Sequence, residues 1–163
     1  MQYRKFGKTG AQVSALGLGT MRLPLLDGDQ GSSSYGAEQV DVSASIACIR
    51  HAIDCGVNYI DTAYNYMGGN SEWVVGQALS GGQRQNIYLA TKSPVWLLAS
   101  AADFERVLCE QLEKLQTDYI DMYLLHRDDP SVPVGEIMDI LQEIVDTGCV
   151  RTIGVSNWSV ERI

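Results

Sequence analysis

Asp61, Lys92, His126 and the pair Ser156-Asn157 are the residues whose types and positions could do chemistry in this sequence. Each comes at the end of a short apolar segment, and these segments recur roughly every 30 residues, the spacing of βαβ units. A carboxylate, an ammonium and an imidazole are groups that transfer protons or stabilise charge in enzymes. Singly, each has an ordinary interpretation: a turn cap for Asp61, a solvated loop lysine, or a polar loop around His126. Their recurrence on successive segments favours a site.

Two other classes of site lack their sequence motifs. His126 has no second histidine at helical spacing, so the sequence predicts no metal site. Gly17-Leu18-Gly19 is not followed by the third glycine of the dinucleotide-binding fingerprint, and the chain has no Walker-type phosphate loop. The sequence therefore does not predict a Rossmann-type nucleotide site.

The composition argues against several kinds of partner. The 163-residue chain has a formal net charge of −8, so nothing would neutralise the phosphates of a nucleic acid. No apolar run reaches the roughly 18 residues of a membrane span, and residues 1–10 do not look like a secretion signal. The four cysteines, Cys48, Cys55, Cys109 and Cys149, form no C-x-x-C pair. We expect small buried thiols and a cytoplasmic location.

Apolar periodicity predicts an N-terminal hairpin followed by alternating strands and helices. The hairpin covers 3–13 and a Gly/Ser/Asp loop covers 27–36. The predicted strands are 15–20, 57–61, 86–92, 119–125 and 150–155. Helical spacing is predicted within 42–53, 73–79, 104–115 and 137–145, and glycines follow the first, second and fourth of these segments.

Three details of the helices are also predicted. The apolar face of the second helix comprises Trp73, Val74, Ala78 and Leu79. Ser100, followed by an acid at Asp103, is the expected N-cap of the third helix. Ser159 is the expected start of a fifth helix.

The alternation of strands and helices predicts an α/β fold with a parallel sheet, either doubly wound or a (β/α)8 barrel. A complete barrel needs about 250 residues, so this chain supplies about five of the eight strands. We therefore expect one domain over 1–163, consisting of the hairpin and about five β/α units. In a barrel the carboxyl ends of all strands point to one mouth, where active sites lie.

Four motifs resemble the aldo-keto reductase family in order and spacing. They are Asp61-Thr62-Ala63-Tyr64-Asn65-Tyr66, Leu89-Ala90-Thr91-Lys92, the run from Tyr119 to His126, and Gly154-Val155-Ser156-Asn157. The opening residues 3–20 are also similar to that family, so the resemblance covers essentially the whole chain. It implies a (β/α)8 barrel and an NAD(P)H-dependent oxidoreductase that reduces aldehydes or ketones to alcohols.

The resemblance also implies a role for each residue. Tyr66, rather than Tyr64, would be the general acid, because it lies five positions after Asp61. Lys92 would make that hydroxyl a stronger acid, Asp61 would pair with Lys92, and His126 would orient the carbonyl or assist proton transfer. The implied cofactor contacts are Gly19, Thr20, Asp61, Ser156 and Asn157, with the last two on the nicotinamide carboxamide. NADP is the expected cofactor, with NAD as the alternative.

The family's cofactor phosphate contacts and substrate loops lie on later strands, which would follow residue 163. We therefore expect either a fragment of a longer protein or a chain that self-associates through its open sheet edges. Carbonyl reduction is the leading function. The alternative is a non-catalytic or truncated half-barrel that binds the cofactor or a partner chain without turnover.

Overall fold

The computed structural model describes residues 1–26, 39–98, 100–129 and 134–163. Its strands are β1 (Tyr3–Lys5), β2 (Gln12–Ser14), β3 (Leu18–Gly19), β4 (Tyr59–Asp61), β5 (Tyr88–Ser93), β6 (Met122–Leu125) and β7 (Ile153–Val155). Its α-helices are α1 (Val42–Asp54), α2 (Ser71–Leu79), α3 (Ala101–Leu115) and α4 (Val134–Asp146). The loop predicted at 27–36 lies outside the described residues. None of the helices described is long and apolar enough to cross a membrane.

β3 to β7 form a parallel sheet in which the strands stand in chain order. A doubly wound sheet reverses its strand order at a switch point, and no reversal occurs among these strands. The helices pack in chain order as well, α1 on α2 and α2 on α3. Right-handed crossovers between consecutive neighbours place all helices on one side of the sheet. The arrangement is that of an incomplete (β/α)8 barrel, and it decides between the two predicted architectures.

The alternation of side chains across β5 separates the core from the candidate site. The Thr91 hydroxyl donates to Glu72 of α2 and receives a hydrogen bond from Gln111 of α3, so Thr91 faces the helices. Successive side chains of a strand point to opposite faces. Lys92 therefore points to the other face of the sheet, which is the interior of the barrel.

The five sheet strands end within one residue of their predicted ends, but each begins two or three residues later than predicted. The residues before the strands are nevertheless buried, as at Val57, Ile87, Ile120 and Val150. Ile120 and Val150 form an isolated bridge rather than a ladder. Apolar character reports burial and not sheet pairing, so it overestimated the length of each strand at its amino end.

Side-chain caps and a glycine define the helix ends. Asp41 Oδ1 accepts a hydrogen bond from Ala44 N at 2.9 Å and caps α1, and Gly56 follows that helix with φ +91°, a left-handed conformation that favours glycine. Ser100 Oγ accepts from Asp103 N at 3.3 Å, so the predicted cap of α3 is confirmed. The predicted helix start at Ser159 is confirmed in position but only as a short turn within the described chain. Val160–Arg162 form a single 3₁₀ turn, and the Ser159 side chain does not cap it.

The buried face of α2 differs from the predicted face at one residue. Val74, Ala78 and Leu79 are buried as predicted, but Trp73 is 43% exposed. Glu72, the residue before it, is fully buried instead, because its carboxylate accepts hydrogen bonds from Thr91 and Gln111. The helical rotation that buries Glu72 turns the indole of Trp73 toward solvent.

The expectation of buried thiols is also wrong for three of the four cysteines. Cys48, Cys55 and Cys109 are exposed and Cys149 is half-buried. Cys48 is next to buried Ile49, and Cys109 is next to buried Leu108. Neighbouring residues of a helix point about 100° apart, so a residue beside the apolar face can lie outside it.

The β1–β2 hairpin covers the amino-terminal end of the sheet. Tyr3 donates a hydrogen bond to the Gly56 carbonyl at 2.9 Å, and Ser14 N donates to Asn58 Oδ1 at 2.6 Å. A cavity of about 640 Å³ lies between this hairpin and the strand starts. Tyr59 lines it, and burial followed by the nearby Asp61 raises the pKa of that tyrosine to about 12. Active sites of barrels lie at the opposite end, so we assign this cavity to the structure of the barrel floor.

Candidate functional site

Lys92 is the centre of the candidate site. Its Nζ donates hydrogen bonds to Asp61 Oδ1 at 2.5 Å, to the Thr62 carbonyl at 2.8 Å and to the Tyr66 hydroxyl at 3.1 Å. An ammonium has three donors, so these acceptors satisfy it completely. Lys92 is 5% exposed, which rules out the interpretation as a solvated loop lysine. A buried ammonium that is fully paired is a fixed positive charge beside a phenol.

Asp61 is placed by the end of β4 and by the loop after β3. Its backbone carbonyl accepts from Thr20 N at 2.9 Å and from the Thr20 hydroxyl at 3.0 Å. Thr20 is itself fully buried and receives a hydrogen bond from the Ser71 hydroxyl at 2.7 Å. The carboxylate side chain is 29% exposed. The carboxylate therefore pairs with Lys92 at the edge of the buried region, and it does more than cap a turn.

Tyr66 lies in a tight turn that a buried neighbour anchors. The 3₁₀ segment Tyr66–Gly69 contains Met67 at φ +54°, a left-handed conformation that costs a non-glycine residue about 1–2 kcal/mol. The Met67 side chain is fully buried and holds the turn in place. Tyr66 is 8% exposed. Tyr64, the competing tyrosine, bonds instead to Glu110 of α3 at 3.3 Å, so of the two tyrosines Tyr66 is the one at Lys92.

His126 follows β6 and stands beside the phenol ring of Tyr66. The two ring centroids are 5.7 Å apart in an edge-to-face arrangement, and the centroid of the Trp96 indole lies 5.6 Å from that of the imidazole. Burial and then the Lys92 ammonium lower the pKa of His126 below its ordinary value of 6.5, which favours the neutral imidazole. Its Nδ1 is buried and has no hydrogen-bond partner in the described part of the chain. A neutral imidazole of this kind can orient a polar oxygen without adding charge.

Ser156 and Asn157 follow β7 and adjoin His126. Asn157 Nδ2 donates to the His126 carbonyl at 2.9 Å and to Ser156 Oγ at 3.0 Å. Asn157 adopts φ +59°, which asparagine tolerates better than most residues. Gly19 is exposed at the end of β3, whereas the Thr20 hydroxyl is used inside the protein.

An open cleft of about 550 Å³ lies beside these groups. Its described lining is Asn65, Trp96, His126, Arg127 and Asn157. Asn65 Oδ1, like His126 Nδ1, is buried without a hydrogen-bond partner among the described residues. The cleft thus combines aromatic walls with polar groups able to fix the orientation of a small molecule.

A buried polar network behind β5 was not predicted from the sequence. Glu72 Oε1 accepts from Thr91 Oγ1 at 2.6 Å and from Gln111 Nε2 at 2.5 Å. The same amide nitrogen of Gln111 lies 3.2 Å from the Lys92 carbonyl, and Tyr123 donates to Gln111 Oε1 at 2.8 Å. Burial raises the pKa of Glu72 although its hydrogen bonds and two lysines oppose this. The available signal was the spacing of Gln111 from the apolar residues of α3, which places it on the buried face.

Comparison with known proteins gives a consistent result. The aldo/keto reductase family model matches residues 15–163. The chain is 39% identical to aldo-keto reductase YhdN of Bacillus subtilis, covering 100% of this chain and 49% of the relative. It is 32% identical to a putative voltage-gated potassium channel subunit beta of Schizosaccharomyces pombe, covering 99% of this chain and 46% of that protein. The chain thus spans about half the length of the curated relatives it matches.

Solved structures agree with the sequence matches. The thermostable aldo-keto reductase Tm1743, solved with the inhibitor epalrestat, superposes with a TM-score of 0.81 at 32% identity, covering 99% of this chain and 56% of that one. An aldo-keto reductase from Klebsiella pneumoniae in complex with NADPH gives a TM-score of 0.77 at 36% identity, covering 98% and 51%. The strand order, the Asp61–Lys92–Tyr66 contacts and the match over residues 15–163 lead to one conclusion. The chain belongs to the aldo/keto reductase family.

Proposed function

We propose that this chain carries the proton-donating site of an NADPH-dependent oxidoreductase that reduces aldehydes or ketones to alcohols. The observation that supports this most is the Lys92 ammonium, held between the Asp61 carboxylate at 2.5 Å and the Tyr66 hydroxyl at 3.1 Å. The family relationship and the nicotinamide cofactors bound by solved relatives point the same way. A cytoplasmic location is part of the proposal.

Tyr66 is proposed as the general acid because its O–H is available. Lys92 donates to the phenol oxygen, and the O–H has no acceptor among the described residues. When hydride adds to the carbonyl carbon, the carbonyl oxygen becomes negative and takes the Tyr66 proton. The ammonium then stabilises the phenolate left behind. Proton donation of this kind contributes about 10²–10⁴ in rate.

Asp61 and His126 support that step in different ways. Asp61 pairs with the Lys92 ammonium and so holds that group next to Tyr66 and away from solvent. The lowered pKa of His126 favours its neutral form, and its ring lies 5.7 Å from the phenol ring, so it is proposed to orient the carbonyl oxygen without adding a charge. A positively charged imidazole at this position would repel the lysine.

The residues proposed to hold the cofactor are Gly19, Asp61, Ser156 and Asn157, and buried Thr20 is proposed to act through them by holding the backbone of Asp61. The donor set suits a carboxamide, because the Ser156 hydroxyl and the Asn157 amide offer both donors and acceptors next to the cleft. A bound nicotinamide supplies the hydride. NADP is favoured over NAD because solved relatives bind NADP and NADPH.

The alternative function is a half-barrel that binds cofactor or a partner chain without turnover. One observation favours it: β3 and β7 each have a single neighbour in the described sheet. The similarity to a potassium channel β subunit is compatible with this role. Cofactor binding without oxidation of NADPH would support this alternative.

NADPH oxidation with an aromatic aldehyde, followed by absorbance, tests the leading proposal. Tyr66→Phe should lower the rate by about 10²–10⁴. Tyr64→Phe is the matched control, since Tyr64 bonds to Glu110 and does not contact Lys92. Equal activity of the two variants would exclude Tyr66 as the acid. NADPH fluorescence titration of both variants shows whether any loss comes from cofactor binding instead.

A further inference from the structure

Arg127 is a charged residue of the cleft that the proposed chemistry does not use. Its guanidinium carbon lies 4.8 Å from the centroid of the Trp96 ring, and Trp96 in turn lies 5.6 Å from His126. Arg127 is exposed and lines the cleft together with these two rings. The guanidinium and the imidazole therefore both lie against the same indole.

The charge of Arg127 has no counter-ion in the described part of the chain. The ion pairs found there involve Arg84, Arg106, Arg151 and Lys92. Two cations of the site, Lys92 and Arg127, therefore differ in their pairing. Lys92 is neutralised by Asp61, whereas no carboxylate among the described residues forms an ion pair with Arg127. The Arg127 charge also acts electrostatically on His126, because it contributes to lowering the pKa of that imidazole.

Arg127 is an exposed guanidinium at the wall of the cleft, held against the Trp96 ring. The protein carries twenty acidic residues against twelve basic ones, so it repels anions at long range and a local positive site is needed to bind one. Guanidinium groups pair with carboxylates through two parallel hydrogen bonds. Stacking on Trp96 holds the Arg127 guanidinium at the cleft wall, so its side chain loses less conformational entropy when a carboxylate binds.

We propose that Arg127 recognises a carboxylate on the carbonyl substrate, so that the preferred substrates are aldehydes or ketones carrying an anionic group about one aromatic ring away from the carbonyl. This rests on the proposed function. A carbonyl oxygen at Tyr66 and His126 leaves the far end of such a molecule along the Trp96 indole, where the guanidinium lies. Arg127 would be a specificity residue, with no part in proton transfer.

A matched pair of substrates tests the proposal. 4-Carboxybenzaldehyde and methyl 4-formylbenzoate share the reacting aldehyde and the ring, and they differ in the charge at the far end. The ratio of kcat/KM for the acid to that for the ester should exceed one and fall about tenfold in Arg127→Gln, the effect of one exposed charge-assisted pair. Arg127→Lys should retain part of the preference. Arg106→Gln, on the outer surface of α3, is the control variant, and its ratio should match the unaltered protein.

The outcomes separate the two proposals. Absence of turnover of both aldehydes by the unaltered protein contradicts the proposed function alone, and calorimetric binding of the acid and the ester then still reports on Arg127. An acid-to-ester ratio that Arg127→Gln leaves unchanged, in turnover or in binding, overturns the substrate proposal. So does a rise in KM for NADPH with an unchanged ratio, which would assign the guanidinium to the cofactor.

Discussion

Glu72→Gln is the substitution that best tests the electrostatics behind the site. Glu72 is fully buried and faces Lys92, Lys114 and the phenol of Tyr123. Glutamine preserves the shape and the oxygen that accepts from Thr91 and Gln111. It replaces Glu72 Oε2, which is buried without a partner among the described residues, with an amide nitrogen. At low pH the protonated carboxyl group of Glu72 also places a hydrogen-bond donor at this position, so the variant and the unaltered protein should differ little in stability there.

The difference in stability should change with pH in a defined direction. Burial raises the pKa of Glu72 above its ordinary value of 4.5, so the folded state keeps the proton at pH values where the unfolded state has lost it. This stabilises the folded protein at low pH, and the contribution is lost as pH rises from 4.5 through the raised pKa. The slope is at most about 1.4 kcal/mol per pH unit for one proton. Glutamine does not titrate, so the stability of the variant relative to the unaltered protein should increase as pH rises across this window.

Urea unfolding at closely spaced pH values above 4.5 measures this difference. The free energy of unfolding of the unaltered protein is subtracted from that of the variant at each pH. The contributions of titratable groups that both proteins share cancel in this difference. The matched control is Glu113→Gln, which removes a carboxylate from an exposed position of α3 and measures the effect of one surface charge. A difference between Glu72→Gln and the unaltered protein that stays constant over the window would refute the assignment of a raised pKa to Glu72.

Two further predictions concern packing and assembly. Gly76→Ala should destabilise the fold by about 1–3 kcal/mol, because its Cβ would lie 2.5 Å from the Lys114 carbonyl oxygen. Gly135→Ala, with nothing within 4 Å of its Cβ, is the control in urea unfolding, and equal stability of the two variants would contradict the predicted clash between α2 and α3. The open edges at β3 and β7 should cause the isolated chain to self-associate. Light scattering that shows a stable monomer across concentrations would disprove this.

The strand ends were predictable because two independent signals coincide there. Each apolar run stops at a polar residue, and the parallel order then brings Asp61, Lys92 and His126 to one edge of the sheet. The assignment of Tyr66 to the site required the family resemblance, because no local sequence pattern predicts the left-handed turn at Met67 that follows it. That 1–163 folds as a single domain, and that each site residue has its proposed role, stay predictions.

The features that sequence reasoning missed share one cause. Glu72 and Gln111 are polar residues that become buried only because they satisfy each other across α2 and α3. Single-residue hydropathy placed Trp73 in the core and ignored Glu72, because it contains no information on partners from distant segments. The exposed cysteines follow from the same limit, since their neighbours and not their own polarity set the buried face of each helix.

The contacts of Lys92 explain why half of a barrel can hold the acid site in place. Its three acceptors come from Asp61, Thr62 and Tyr66, all within six residues of the end of β4. Gln111 of α3 contacts its carbonyl from the other face of β5. None of these contacts depends on β7 or on a bound ligand, whereas Ser156 and Asn157 lie beyond the last described sheet strand. The geometry for proton donation is therefore set by the segment from β3 to α3, and the affinity for cofactor is a separate property that can fail while the acid site stays intact.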